Sequence, residues 1–281
     1  MTAIHAPDTG STDEHGRLRD TRDAFDSVAA DYDGERGNND LIQEMRVEMW
    51  RWLDATFPTP SRLIDLGCGT GLDAVRLGRA GHHVTATDWS AKMVERTAQR
   101  AASEGVVERV QALAIGAHEL GRLDGDGEYD GVYSNLGPLN CVPDLGAVAR
   151  ECARLLRPGG SLVFTVIGRV CPWEIAHYLR RGRLARVRVR FARGIVPVGM
   201  NKRTIWTRYY GPREFYRPFR RDFELEHFRG LCVLVPPPYL TWLRERHPKW
   251  HARLWDVDRR VAGWPGLRAI GDHFLIVMKK R

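Results

Sequence analysis

One nine-residue stretch, Leu63-Ile64-Asp65-Leu66-Gly67-Cys68-Gly69-Thr70-Gly71, constrains this chain more than any other. A short apolar run takes in an acid, three glycines follow at alternate positions, and Leu72-Asp73-Ala74-Val75-Arg76-Leu77 then takes up a helical period. Such a strand-to-helix turn sets free N–H groups of a helix start against a ligand, and glycines remove the Cβ atoms that would obstruct its approach. Alone, the turn is a general nucleotide signal. Seventeen residues past Gly71, the run His83-Val84-Thr85-Ala86-Thr87 ends in Asp88, followed by Trp89-Ser90. An acid at the tip of a second strand is placed to accept hydrogen bonds from ribose hydroxyls. The first turn does not read Gly-x-Gly-x-x-Gly, and Asp65 precedes it. The pattern points away from a dinucleotide pyrophosphate and toward a ligand with an amino-acid tail.

Strand and helix periods alternate around this turn. Strands are expected at 62–66, 83–88, 109–114, 129–134 and 161–166, with helices at 71–80, 90–104 and 144–157 between them. That order predicts a mostly parallel sheet. Phe223-Glu224-Leu225-Glu226-His227-Phe228 and His273-Phe274-Leu275-Ile276-Val277-Met278 supply a sixth and a seventh strand. Upstream, Phe25, Val28, Ala29 and Tyr32 follow helical spacing from about Asp20, and a second helix over Leu41–Phe57 ends at Pro58-Thr59-Pro60.

On these residues the chain resembles the class I S-adenosylmethionine-dependent methyltransferases of the small-molecule type. Asp65-Leu66-Gly67-Cys68-Gly69-Thr70-Gly71 reads like their first motif, and Tyr129-Asp130-Gly131-Val132 like their fourth. The Leu155-Leu156-Arg157-Pro158-Gly159-Gly160 turn is also frequent among them. The resemblance covers about 60–167 well, and 212–228 with 272–280 loosely. It implies an α/β fold with a Rossmann-like, seven-stranded, mostly parallel sheet, the last strand being its antiparallel edge. Helical and aromatic cap insertions follow strands five and six. The expected division is a disordered tail (1–18), lid helices (19–60), the cofactor-binding core (61–167), a basic cap insertion (168–211), a core continuation (212–229), a second cap insertion (230–270) and the edge strand (271–281).

The resemblance also implies S-adenosylmethionine as cofactor and assigns residues to it. Asp65, with the loop Gly67, Cys68, Gly69 and Gly71, faces the methionine portion; Asp88 takes the ribose; Trp89 and Met93 border the adenine. The string Phe25-Asp26-Ser27-Val28-Ala29-Ala30-Asp31-Tyr32-Asp33 resembles a leading helix that folds over the cofactor, so Tyr32 either touches the methionine end or packs on the core. After strand three the family commonly places an acid near the adenine amino group. Here Ala114-Ile115-Gly116-Ala117-His118-Glu119-Leu120 has none in that place, leaving the backbone of Gly116 and Ala117, or the His118 or Glu119 side chain. Ser134-Asn135-Leu136-Gly137-Pro138-Leu139-Asn140 lies where the methyl group should meet its acceptor. It is not the Asn/Asp-Pro-Pro-Tyr/Phe sequence of amide- and base-methylating enzymes, which weakens a DNA or protein-glutamine acceptor. Asn135 either lines the site or only forms the turn.

Composition narrows the setting. Five scattered cysteines without Cys-x-x-Cys spacing fit a reducing compartment and give no zinc signature. No signal-peptide core and no membrane-length apolar stretch occurs, so a cytoplasmic location is expected. The net charge of +8 is unevenly spread. Residues 1–60 hold thirteen acids against six bases, whereas Arg169–Asp222 hold fifteen Lys/Arg and three acids. This basic segment suits an anionic small molecule, nucleic acid or a solvated face.

The expected acceptor is a small molecule enclosed by the cap, with O-methylation of a hydroxyl or carboxyl group as the broad reading. Methyl transfer needs alignment, exclusion of water and, for some acceptors, removal of a proton. In Arg169-Val170-Cys171-Pro172-Trp173-Glu174-Ile175-Ala176-His177-Tyr178, Glu174 and His177 fall on one helical face. They are the candidate catalytic pair, against the plainer reading of Glu174 as an ion-pair partner of a nearby arginine. Tyr178, Arg180, Trp206, Tyr209 and Tyr210 are candidate substrate contacts, and the alternation Arg186-Val187-Arg188-Val189-Arg190-Phe191 fits a strand. The specific alternative is C-methylation of a prenyl diphosphate, with arginines (and Mg²⁺, under this alternative only) on the diphosphate and Glu174 as base. RNA methylation, for which no RNA-binding module is recognisable, and a non-catalytic cofactor-binding module complete the set.

Overall fold

A computed structural model describes residues 13–34 and 37–281. Residues 1–12 of the expected tail lie outside the described residues. Its remainder does not fit a disordered tail: helix α1 spans Glu14–Val28, started by Asp13, whose side chain accepts a hydrogen bond from the Gly16 N–H. Helix α2 spans Asp40–Thr56 and buries Leu41, Met45, Met49 and Leu53, a four-residue repeat that forms one stripe.

The sheet forms as the alternation predicts. β1 (Arg62–Leu66), α3 (Leu72–Arg79), β2 (His83–Asp88), α4 (Ala91–Ser103), β3 (Val110–Ala114), β4 (Tyr129–Ser134), α5 (Leu145–Leu155) and β5 (Leu156–Ile167) follow in order. After an insertion come α8 (Pro212–Tyr216) and β8 (Phe223–Leu231), and after a second insertion β9 (His273–Lys280). The seven strands lie in the order β3-β2-β1-β4-β5-β9-β8. β1 to β5 pair in parallel, and β9 runs antiparallel to both neighbours. The last strand is therefore antiparallel as expected but not an edge: it fills the gap between β5 and β8, and β3 and β8 are the edges. Its Phe274–Met278 run is buried, as a strand covered on both faces requires.

Each face carries its own core. On one, α5 packs Val148, Ala149 and Cys152 with Phe164, Phe215, Phe219 and Phe223. On the other, Met49 and Leu53 of α2 pack with Ala74, Val75 and Leu77 of α3. Both insertions leave the sheet beside the ends of parallel strands where α/β folds bind ligands. The first holds α6 (Pro172–Leu179), α7 (Leu184–Val189) and a hairpin of β6 (Val196–Met200) and β7 (Arg203–Thr207). The alternating Arg/Val run is thus helical in α7, and the strands of this insertion come later. The second holds α9 (Trp242–Arg246) and α10 (Pro248–Val261). No helix among the described residues is long and apolar enough to cross a membrane.

Candidate cofactor and acceptor cavity

A cavity of about 220 Å³ opens at the carboxyl ends of β1, β2, β4 and β5. Its floor is the loop after β1. Gly67 has φ +77°, and a Cβ there would lie 2.3 Å from Pro138 Cβ, so the turn admits no side chain. The loop is clamped to β2 by the Gly67 and Cys68 N–H groups, which donate to Thr87 O. Gly69 N–H donates to Asp88 Oδ2 (2.9 Å), and Ser90 N–H donates to Oδ1 (2.8 Å). Asp88 therefore lies on the wall with both oxygens held by backbone N–H groups, that of Trp89 adding to them, and with acceptor capacity to spare. Burial pushes its carboxyl up to about 6, against the pull of the Ser90 and Gly69 N–H groups.

Tyr32, Gly67, Cys68, Gly69, Asp88, Trp89, Met93, Ala117 and Asn135 all line the cavity. Tyr32 is drawn over the loop because Asp33 is held twice: it accepts from Thr70 Oγ1 (2.7 Å) and pairs with Arg100. Trp89 meets His118 edge-on, ring centroids 4.5 Å apart, and both face the cavity. Burial lowers the His118 imidazole below its ordinary range, against the charges of Glu119 and Glu14.

Three assignments to the cofactor fall behind the wall. Asp65 is 2% exposed beneath the loop; burial first, and then the charge of Asp73, push its carboxyl well above the usual range. Gly71 faces α4 instead, where a Cβ would lie 2.8 Å from the Thr97 side chain. Gly116 donates its N–H to Glu119 Oε2 (3.2 Å) and backs onto the His118 ring, which leaves Ala117 and His118 as the wall residues after β3.

The wall also holds residues the motifs did not mark. Arg46 of α2 donates to Asp73 Oδ2 (2.6 Å), Trp50 Nε1 donates to Asp73 Oδ1 (2.6 Å), and Asn135 Nδ2 donates to Asp73 Oδ2 (3.0 Å). Asn135 in turn accepts from Thr165 Oγ1 (2.9 Å), so it lines the cavity while fixing Asp73. A charged residue one place from the Met45–Met49 stripe was the available signal for Arg46. Farther out, the wall is Leu18, Phe25, Cys141, Ile167, Met200, Ile205 and Thr207. The first insertion thus reaches the cavity through its hairpin. Asn140 fixes that approach: it donates to Ile167 O (3.1 Å) and Arg208 O (2.7 Å), and accepts from Ile167 N–H (2.9 Å).

The predicted catalytic and substrate residues are elsewhere. Glu174 forms a bidentate pair with Arg190 (Nε–Oε1 3.0 Å, Nη2–Oε2 2.9 Å), and Arg190 Nη2 also meets Asp272 Oδ1 at 2.5 Å. The plainer reading of Glu174 holds, with Arg190 as the arginine. Burial raises the Glu174 carboxyl, only partly offset by Arg190. At Asp272 burial also pushes upward, but Arg190 and His273 outweigh it and hold the carboxyl well below the usual range. His177 bonds Arg181, four residues on. Tyr178 packs against His177, and Arg180 is exposed. Trp206 donates to Asp20 Oδ2 (3.0 Å), Tyr209 lies under the Arg190 guanidinium, and Tyr210 is buried against Phe215. None of these seven side chains lines the cavity. No group of three metal-ligating side chains occurs among the described residues.

Residues 63–160 match the model of a methyltransferase domain family. The chain is 34% identical over 122 residues to a ubiquinone biosynthesis O-methyltransferase of Ralstonia nicotianae, covering 42% of this chain and 48% of that protein. It is 29% identical to one from Albidiferax ferrireducens, over 72% of this chain and 74% of the relative. The chain spans about half the length of several curated relatives that it matches, a putative methyltransferase of Bacillus subtilis among them. Among solved structures, geranyl diphosphate C-methyltransferase of Streptomyces coelicolor A3(2) superposes with a TM-score of 0.56 at 16% identity. That match covers 84% of this chain and 77% of that one, a likeness of fold alone.

Proposed function

The chain belongs to the class I S-adenosylmethionine-dependent methyltransferases through its residues 63–160, and we propose that it is an enzyme that methylates an acidic hydroxyl, such as a phenol, on a largely apolar small molecule. The cofactor supplies a methyl group on a positively charged sulfur. Two observations support the fit of the cavity to it. Asp88 presents free acceptor positions at the tip of β2, and Arg46 Nε is buried on the wall side of α2 without a hydrogen-bond partner. Asp88 would take the ribose hydroxyls, Arg46 the carboxylate of the amino-acid tail, and Trp89, Met93, Ala117 and His118 the purine.

The observation that carries the acceptor class is what the wall contains. Among the described residues its carboxylates are Asp73, held by three donors, and Asp88. The remainder beside the hairpin is mostly apolar, sulfur or hydroxyl, with Arg22 of α1 set over the Trp89 ring. A wall without a free carboxylate suits an acceptor that gives up its proton readily, whereas an alcohol of ordinary acidity calls for a positioned base. The names of the curated relatives support O-methylation. A diphosphate finds little to hold it here: none of the arginines between 180 and 190 lines the cavity, and the two described arginines that do, Arg22 and Arg46, are paired with Asp23 and Asp73. The test is an incubation with isotopically labelled cofactor and matched phenols, catechols and aliphatic alcohols, following labelled product and S-adenosylhomocysteine by mass spectrometry. Methylated phenolic products are expected. Labelling of alcohols alone, or of none, overturns the acceptor class.

A further inference from the structure

Outside the cavity, the most unusual feature is the outer face of the first insertion. Of the nine large apolar side chains that stand exposed among the described residues, seven lie in the two insertions: Leu179, Leu184, Phe191, Trp242, Trp250, Val257 and Trp264. Leu179, Leu184 and Phe191 are about half exposed (50%, 55% and 46%); the first two lie in the short helix–turn–helix α6–α7 and Phe191 two residues past its end. Arginines interleave them. Arg180, Arg181, Arg183, Arg188 and Arg193 are all exposed, and no ion pair links them to a carboxylate among the described residues. The chain places no Asp or Glu anywhere from 175 to 213, against eleven Lys/Arg. A merely solvated face would mix both signs and would not leave leucines standing in water.

We propose that the face formed by residues 179–193 with Trp242 is a docking surface for a membrane rich in anionic phospholipid. Basic side chains beside exposed Leu, Phe and Trp are the combination an interfacial segment uses: cations engage the headgroups while apolar side chains enter the acyl boundary. The face is held for this purpose. Trp173 of α6 meets Trp242 of α9 at 6.2 Å, joining the two insertions. Beneath, Arg190 ties α7 to the body through Glu174, Asp272 and the carbonyls of Gly168 and Asp272. The alternative, RNA, accounts for the arginines but gives Leu179 and Leu184 nothing to do, since nucleic acid is held by charge and by aromatic stacking. The same insertion continues into β6–β7, whose Met200, Ile205 and Thr207 line the cavity, so a docked face and the cavity wall share one segment.

The full chain, freed of nucleic acid, is sedimented with large vesicles of phosphatidylcholine alone and with equal parts phosphatidylglycerol. It should partition onto the anionic vesicles only and be released as salt rises. R183E/R188E/R193E should lower the partition coefficient roughly 100-fold. L184S/F191S, which keeps every charge, should lower it by roughly tenfold, because apolar contact with the acyl boundary is lost. R217E/R220E/R221E, an equal charge change on other exposed arginines, should lower it far less. Unchanged melting temperature and S-adenosylhomocysteine affinity certify each variant as folded, and either of the first two variants suffices if the other fails. No partition onto anionic vesicles at low salt overturns the proposal. So does equal loss in both arginine triples, or L184S/F191S binding as the parent does. An RNA titration by fluorescence anisotropy that saturates while vesicles do not bind assigns the face to nucleic acid instead.

Discussion

The floor of the cavity and the base of the α6–α7 insertion both rest on buried acids, but the two are organised in opposite senses. At the floor, Asp88 is held by N–H groups of Gly69 and Ser90, and these bonds leave acceptor positions facing open space. At the base of the insertion, Arg190 sits at the centre, and its donors go to Glu174, Asp272, Tyr239 and two carbonyls. One arrangement spares bonding capacity for a ligand; the other uses it up within the protein. The comparison separates polar clusters that bind from polar clusters that hold, although burial raises the carboxyls of both Asp88 and Glu174.

That contrast predicts which measurement each substitution moves. The largest effect belongs to Asp88→Ala. Two charge-assisted hydrogen bonds to the ribose, each worth roughly 1.5–3 kcal/mol, would be lost. Calorimetric titration with S-adenosylhomocysteine should register a drop of two or more orders of magnitude, and an unchanged dissociation constant would remove Asp88 from the site. Next comes Arg190→Ala, which strands two buried carboxyls. Thermal or urea unfolding should report a loss of about 3–5 kcal/mol, with cofactor affinity of the folded fraction retained. Milder is Glu174→Gln, which leaves Arg190 paired to Asp272. It should lower stability by about 1–3 kcal/mol while turnover per folded molecule persists. A selective loss of turnover would put Glu174 back among the reacting groups.

The smallest effect is a pH dependence. Asp88 titrates at about 6 because burial penalises its charge, so cofactor affinity should weaken as pH falls through that value, by roughly tenfold per unit once the group is protonated. The sign for the empty protein is the reverse. A carboxyl whose folded pKa lies above its unfolded one gives stability that is present at low pH and lost as pH rises through about 6. Asp258, also pushed to about 6 by burial, adds to the same trend. Affinity and empty-protein melting temperature measured between about pH 4 and pH 7, a window set by carboxyls raised from 3.8 to about 6, should move in opposite directions. Asp88→Asn should flatten the affinity curve.

How far the sequence could be read follows the same division. The floor was legible because its parts are contiguous: Gly67 to Gly71 is one turn, and Asp88 to Met93 another. Strand periods gave the sheet, down to β2 at 83–88. What failed depended on contacts distant in sequence. Glu174 drew attention as a rare acid in a basic segment, but its meaning depends on Asp272, nearly a hundred residues on. The Arg186–Arg190 alternation suits a strand locally, yet the segment is helical to Val189, and Arg190 at its end turns inward to those two acids. Tyr209 and Tyr210 are large rings near a cavity, and periodicity does not distinguish a ring that lines it from one that packs behind it. β9 was read as a strand from its own residues, but its place between β5 and β8 is set by its partners.

One helix touches both ends of the cavity. α1 receives the Trp206 indole and backbone through Asp20 and Thr21 on the hairpin side. On the other side Leu18 O accepts from Trp89, and Asp26 accepts from Ser90. Leu18 and Phe25 meanwhile form part of the wall. The same helix is therefore fastened at two points of one wall, and the cavity's shape depends on both fastenings. Replacing Trp206 with Phe or Ser90 with Ala is expected to speed release of S-adenosylhomocysteine, read by stopped-flow fluorescence.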